Sequence, residues 1–375
     1  MRIPFLSFTA TNDDIRNEMQ QAFNTVFESK WYVLGESVNN FEKGYAAYNK
    51  VNHCVGVSNG LDALFLSLKV LGIQSGDEVI VPSNTYIATL LAVSYIGAKP
   101  VLVEPNKLTF NIDPSKIEAA ITAKTKAIIP VHLYGQCCEM KEIMAVAKKY
   151  GLFVIEDNAQ SQGSAFEGQL AGSFGHINGT SFYPGKNLGA LGDAGAITTN
   201  DDELAQQVKI LRNYGSQKKY YNEVIGYNMR LDELQAALLS VKLTYLNKWT
   251  AERQQIAQWY DKALSDISEL QLPAIAAGAT HVYHLYVVCT NDRDRLQKHL
   301  NDDGIGTLIH YPVPPHLQKA YADLGFSKGD FPIAEKIADT CLSLPMWPGL
   351  TMEQINIISK SIRNFISKKH HQIAV

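Results

Sequence analysis

The chain has 375 residues, 46% of them hydrophobic and 19% charged, with a formal net charge of −3. That balance excludes a disordered chain, gives length enough for one large core and a second, smaller one, and leaves no general basic surface for nucleic acid, although a local patch could hold one phosphate or pyrophosphate. Five cysteines, with no Cys-x-x-Cys spacing, favour neither a disulfide framework nor a zinc site, so no metal is expected and a reducing cytoplasm fits best.

The opening, MRIPFLSFTATNDD, has one arginine and a very short apolar patch that soon meets acidic residues, unlike a secretory signal. The run YIATLLAVSYIGA from Tyr86 is too short and too rich in hydroxyls to span a bilayer. A soluble cytoplasmic protein without a membrane partner is the expectation.

To about residue 200, short β-rich runs alternate with helical patterns. HCVGV precedes LDALFLSLKVLG, EVIVP precedes YIATLLAVSYIG, PVLVE precedes PSKIEAAI, and KAIIPVHL precedes EMKEIMAVAKKYG; LFVIED, TSFYP and AGAITT complete the strands. Nearly continuous apolar strands separated by amphipathic stretches predict an α/β fold, a mostly parallel sheet covered by helices on both faces. Ligands of such sheets sit beyond the strand C-terminal ends. After Asp201 come the helix DDELAQQVKILRNYG, a loop, and a long helical region from Asp232 to about Ser268. The remainder mixes the strands HVYHLYVVC and GIGTLIHYP with helices in DRDRLQKHLNDD, EKIADTCL and the tail from Met352, an α+β arrangement.

The segment TSFYPGKNLGALGDAG places Lys186 on a glycine-rich turn. A solvated turn lysine is the plain reading. A nucleoside triphosphate loop fails on spacing, because Thr180 stands where its first Gly should be and Asn187 where its hydroxyl should be. The third reading is an amine that condenses with an aldehyde, which requires the lysine to be kept partly unprotonated by burial or nearby positive charge. A phosphate-bearing aldehyde cofactor, pyridoxal phosphate, then demands an acid for the ring nitrogen, an aromatic for the ring face and backbone donors for the phosphate. Asp157, just past an apolar strand in VIEDNAQSQG, is the acid, or else a helix cap. Asn59 and Gly60 in GVSNGLDALFLSL form a strand–turn–helix start suited to an anion. Tyr86 in PSNTYIATLLA can stack on a ring, or simply pack in the core.

The segments GVSNGLDAL, IEDNAQSQG, SFYPGKNLGALGDAGAI and GYNMRLDELQAA, in that order and separation, resemble the DegT/DnrJ/EryC1/StrS family of sugar-nucleotide aminotransferases. The likeness runs from about Pro4 to LPMWPGLT. It implies the aspartate aminotransferase-like fold (fold type I): a large pyridoxal 5'-phosphate-binding domain over 1–245 with a mostly parallel seven-stranded sheet, and a small α+β domain over 246–375. By that resemblance Lys186 is the Schiff-base lysine and proton shuttle, Asp157 pairs with the ring nitrogen, Gln160 meets the ring hydroxyl and Tyr86 stacks. Asn59, Gly60 and Ser181 would hold the phosphate, with Asn228 reaching it from the other subunit of a homodimer with shared sites. By its sequence alone, without the resemblance, Asn228 reads as a residue that caps or precedes the long helix.

The family likeness further implies L-glutamate as amino donor and a dTDP-keto-sugar as acceptor. Tyr183, Arg212, Arg230, His310, Tyr311 and His316 are the candidate substrate-binding residues, with Lys218 and Lys219 in the same basic loop as Arg212. An arginine can grip phosphate with two parallel hydrogen bonds. The wording around Lys186 and the segment SKWYVLGESVNNFEKGYAAY look most like enzymes acting at C-3 of dTDP-3-keto-6-deoxyhexoses in glycan biosynthesis. A C-4 aminotransferase, and a regulatory protein that kept the fold without turnover, are the alternatives. Related dehydratases carry histidine in place of the lysine, so Lys186 argues for amino transfer.

Overall fold

A computed structural model describes residues 2–373. Seven strands form the central sheet: β1 His53–Val57, β2 Glu78–Pro82, β3 Lys99–Val103, β4 Thr125–Ile128, β5 Phe153–Asp157, β6 Ile177–Ser181 and β7 Gly195–Thr199. Their spatial order is β1-β7-β6-β5-β4-β2-β3. The neighbours from β6 through β3 are parallel, whereas β7 runs antiparallel to both β6 and β1. Both inner strands β2 and β7 are buried at every residue, as expected when helices cover both faces.

Each crossover is written in local chemistry. Helix α1, Gly60–Val70, begins where the Asn59 side chain accepts the Asp62 N–H, and buries Leu64, Leu66 and Leu68 against Val55, Ile155 and Ile197. Helix α2, Ile87–Tyr95, follows β2 after a turn and buries Leu90 and Val93 in the same cluster. Helix α3, Glu233–Leu264, has 32 residues. The Glu233 carboxylate accepts the N–H groups of Gly35, Ser37 and Val38 and so caps the helix Glu36–Asn49.

The two ends of α3 belong to different cores. Ala236, Leu239 and Leu246 pack with Phe41, Tyr45 and Phe182, whereas Ile256, Tyr260 and Leu264 pack with Tyr286, Leu342 and Ile358. The division we propose at 245/246 therefore falls within one unbroken helix. Ile3 joins the second core and is hydrogen-bonded to Gly304 and Gly306, which brings the chain's start beside its C-terminal third.

Three expected strands are shorter than their apolar patterns. In TSFYP the strand ends at Ser181, since Tyr183 turns its N–H to Ser181 Oγ and Pro184 has none to give. In HVYHLYVVC the strand is only β8, Tyr286–Cys289, paired with β9, Cys341–Leu344, and His281 makes an isolated bridge to Gln136. The preceding amides go elsewhere: Val282 to Gly135 O, Tyr283 to His281 Nδ1 and Leu285 to Tyr134 O. GIGTLIHYP contributes isolated bridges at Ile305 and Leu308 in place of a strand. Among the described residues no helix is long and apolar enough to cross a membrane, no group of three His, Cys, Asp or Glu is placed to hold a metal, and all five cysteines are free and buried.

Candidate active site

A cavity of about 900 Å³ opens beyond the C-terminal ends of β1, β2, β5 and β6, where an open α/β sheet binds its ligands. The turn after β1 contributes Asn59 and Gly60, the start of α2 contributes Tyr86 and Thr89, β5 ends on Asp157, and β6 ends on Ser181. Lys186 and Tyr183 come from the loop after β6, and His310 and Tyr311 from the C-terminal third.

The lysine loop is folded tightly on itself. Lys186 N–H donates to Tyr183 O at 2.8 Å, and Asn187 Nδ2 donates to Val282 O at 3.1 Å. Gly189 lies where any Cβ would meet Pro184 O at 2.2 Å, so the doubling back of the loop admits only glycine. Burial lowers the Lys186 amine to about 8, and the Asp157 carboxylate offsets part of that. Among the described residues the amine makes no hydrogen bond. About one molecule in ten then carries it unprotonated at pH 7, against roughly one in 2,500 for a free lysine.

Asp157 is buried, and its carboxyl is raised from the ordinary value by desolvation. Four partners work against that rise: the Thr89 hydroxyl, the Ala159 N–H, Lys186 and His132. Thr89 Oγ1 donates to Oδ2 at 2.8 Å, and Ala159 N–H to Oδ1 at 3.2 Å. Gln160 is held by its own amide, with Oε1 accepting the Tyr134 N–H at 2.6 Å and Nε2 donating to the Tyr311 hydroxyl at 3.1 Å. The Tyr311 ring lies 5.2 Å from that of Tyr86, which is 53% exposed.

The turn after β1 is pressed against β6. A Cβ on Gly60 would stand 2.6 Å from Ser181 Cβ, and one on Gly195 would stand 2.4 Å from the Asn59 carbonyl. Asn59 spends its side chain on Asp62, Oδ1 accepting the N–H and Nδ2 donating to the carboxylate. The N–H groups of Gly60 and Leu61, in the first turn of α1, have no helical carbonyl to serve, and both residues line the cavity.

Two expected substrate ligands are corrected. Arg212 is 6% exposed, and its guanidinium donates to the Glu42 carboxylate and to Gly56 O, so it ties the edge strand β1 to the helix Glu36–Asn49 and is not free to meet a pyrophosphate. His316 is buried against Glu335, Nε2 to Oε1 3.0 Å, and does not line the cavity. Asn228 and Arg230 also lie outside this chain's cavity. Asn228 is exposed and bridges Asn213, while Arg230 donates to Asn213 Oδ1 at 2.9 Å and stacks on Tyr214. Lys218 and Lys219 cover the rings of Tyr221 and Tyr220 on the same projecting segment.

Sequence reasoning missed Thr89, His284 and Asp193, all of which line the cavity. Thr89 was within reach, because it stands three residues after Tyr86 and so shares its face of α2. His284 was hidden by the strand pattern of HVYHLYVVC.

An open α/β sheet with a basic, desolvated lysine, a buried acid and an amide-lined turn in one cleft defines a pyridoxal-phosphate-type active site. The DegT/DnrJ/EryC1/StrS aminotransferase family model matches residues 13–363. The chain is 51% identical, over 97% of its length and 99% of the relative's, to the dTDP-3-amino-3,6-dideoxy-alpha-D-galactopyranose transaminase of Aneurinibacillus thermoaerophilus. It is 48% identical, over the same shares, to the erythromycin biosynthesis sensory transduction protein EryC1 of Saccharopolyspora erythraea. The crystal structure of S. venezuelae DesV in complex with ketimine intermediate superposes with a TM-score of 0.95 at 45% identity, covering 97% of this chain and 98% of that one.

The chain belongs to the DegT/DnrJ/EryC1/StrS aminotransferase family. It is an aminotransferase, and its cofactor is pyridoxal 5'-phosphate, which solved structural neighbours hold in its aldehyde and amine forms. The residues present fit that group: an unbonded amine of lowered basicity, a desolvated carboxylate and the free amides of a glycine turn line one cavity.

Proposed function

We propose that the protein moves the amino group of L-glutamate to the C-3 keto carbon of a dTDP-3-keto-6-deoxyhexose, giving a dTDP-3-amino-3,6-dideoxyhexose of galacto or gluco configuration. The observation that carries this reading is the 51% identity, across nearly both whole chains, to a transaminase of the galacto sugar. The polar side chains that line the cavity, exposed Tyr183 and part-buried His310 and Tyr311, suit a hydroxylated acceptor. We assign the protein to the cytoplasm, as a homodimer in which the projecting segment with Asn228, Arg230, Lys218 and Lys219 reaches the second copy's site.

In this reading Lys186 would anchor the cofactor, Asp157 would hold the ring nitrogen's proton, Gln160 would meet the ring hydroxyl and Tyr86 the ring face. Asn59, Gly60 and Ser181 would hold the phosphate, completed by Asn228 of a second copy of the chain. When bound, the cofactor supplies an electron-poor ring that accepts charge from the substrate carbon as its proton leaves. Lys186 Nζ would take that proton and hand it on within the same half-reaction, and would carry one in the reverse sense in the second half, which its lowered basicity allows near neutral pH. Asp157, fixed by Thr89 and Ala159, keeps negative charge against the ring nitrogen.

The sensory-transduction name of one relative motivates a second reading, a binding protein without turnover. The lysine and acid lining one cavity favour transfer. The deciding experiment offers dTDP-3-keto- and dTDP-4-keto-6-deoxyhexoses with L-glutamate and locates the new amine by NMR. An amine at C-3 is expected. Turnover of the 4-keto sugar alone overturns the C-3 assignment, and turnover of neither favours the binding protein.

A further inference from the structure

His284 lines the same cavity as Lys186, and its Nδ1 is buried with no hydrogen-bond partner. A buried ring nitrogen without a partner is costly. The Lys186 amine lines the same cavity, its charge acts on the His284 ring, and it makes no hydrogen bond among the described residues. The two segments are fastened together. Asn187, next in the chain to the lysine, donates to Val282 O, two residues before His284. The His284 backbone is pinned in turn, with its carbonyl accepting from Arg253 Nη1 at 3.4 Å and its N–H 2.8 Å from where a Cβ on Gly135 would lie.

We propose that His284 is a positioning residue for the catalytic lysine: its Nδ1 receives the Lys186 amine whenever that amine is free between the two halves of the reaction. A neutral ring is needed for that, since a protonated one has no lone pair. Burial and the charges of Lys186, Arg253, His310 and His281 all push His284 well below the ordinary histidine value, so the ring stays neutral through the working range. The lysine is thereby held at one place in the cavity while its proton exchanges. An acceptor favours the protonated amine over the neutral one, because hydrogen bonds from charged donors are the stronger kind. Loss of His284 should therefore lower the lysine's apparent pKa as well as loosen it.

The test is the pH profile of the half-reaction that starts from the amine form of the holoenzyme, where Lys186 is free. In His284→Phe the apparent pKa should fall by about half to one unit and the limiting rate by about ten-fold, with His284→Asn, which keeps an acceptor, recovering part of both. An unchanged profile in His284→Phe, or equal changes in the Phe and Asn variants, overturns the proposal. Should the Phe variant fail to fold, ¹⁵N-histidine spectra of the otherwise unmutated holoenzyme in its amine form, where Lys186 is free, decide. One imidazole that stays neutral to pH 5 and whose acceptor nitrogen shifts on Lys186→Ala supports the pairing. A His284 ring that titrates near 6.5, or is blind to Lys186→Ala, overturns it.

Discussion

Thr89 Oγ1 stands 2.8 Å from Asp157 Oδ2 and donates to it, so a hydroxyl on α2 steadies the carboxylate that ends β5. Thr85 Oγ1 lies 2.9 Å from Thr89 Oγ1 and extends the chain of hydroxyls. Thr89→Val keeps the shape and removes the donor. Burial already raises Asp157, and Thr89 is the first of the groups that oppose it. The variant's carboxyl should rise further, and cofactor affinity should fall about ten- to hundred-fold, the worth of one hydrogen bond to a charged group. Equilibrium dialysis across pH should show the loss setting in at a higher pH than in the unmodified protein.

Lys186 must be unprotonated to act as a base, and its amine is lowered to about 8. The half-reaction that begins with the cofactor's amine form should therefore accelerate as pH rises through that value and level off above it. Stopped-flow absorbance under single-turnover conditions reads this directly. Lys186→Ala should lose about two to four orders of magnitude in rate at every pH. A flat profile in the unmodified protein contradicts the assignment.

Two other histidines set a limit on acid tolerance. Burial depresses His281 to about 3 and, together with Lys186, His310 to about 4. Below the ordinary value of 6.5 the unfolded chain binds protons at these sites while the folded one does not. Both groups are therefore without cost above pH 6.5 and destabilise the fold progressively as pH falls toward 4, each by up to about 1.4 kcal/mol per pH unit. Urea midpoints at pH 7.5, 6 and 5 should decline, and less steeply in His281→Gln.

The buried Arg212–Glu42 pair separates a structural role from a binding role. Arg212→Met strips Glu42 of its counter-ion inside the protein and should cost about 3–5 kcal/mol, read as a lower melting temperature. The KM for the nucleotide sugar should stay the same. A many-fold KM rise with unchanged melting would restore Arg212 to the substrate.

The proposed shared site has its own check. Lys186→Ala and Asn228→Asp proteins, each inactive, should regain part of their activity when mixed and allowed to exchange subunits, because one hybrid site carries both intact residues. No recovery despite demonstrated exchange contradicts a site built from two copies.

Much of the large sheet was legible because its strands are nearly unbroken apolar runs punctuated by turns, and Asp157 ends a strand while Asn59 and Lys186 lie in the segments that follow one, where such sheets bind ligands. The failures share one cause, tertiary partners that no local pattern records. Arg212 looked like a loop cation, yet a carboxylate 170 positions away holds it inside the protein. His316 met Glu335 in the same manner. The strand expected at His281 is lost because its amides are claimed by Gly135 and Tyr134, residues far earlier in the chain.

Helix α3, at 32 residues, is about 48 Å long and lends its first turns to one core and its last to the other. Melting either core would strip half of that rod of its packing. The two halves of the molecule should therefore give way to heat together, in one calorimetric peak whose van't Hoff and measured enthalpies agree.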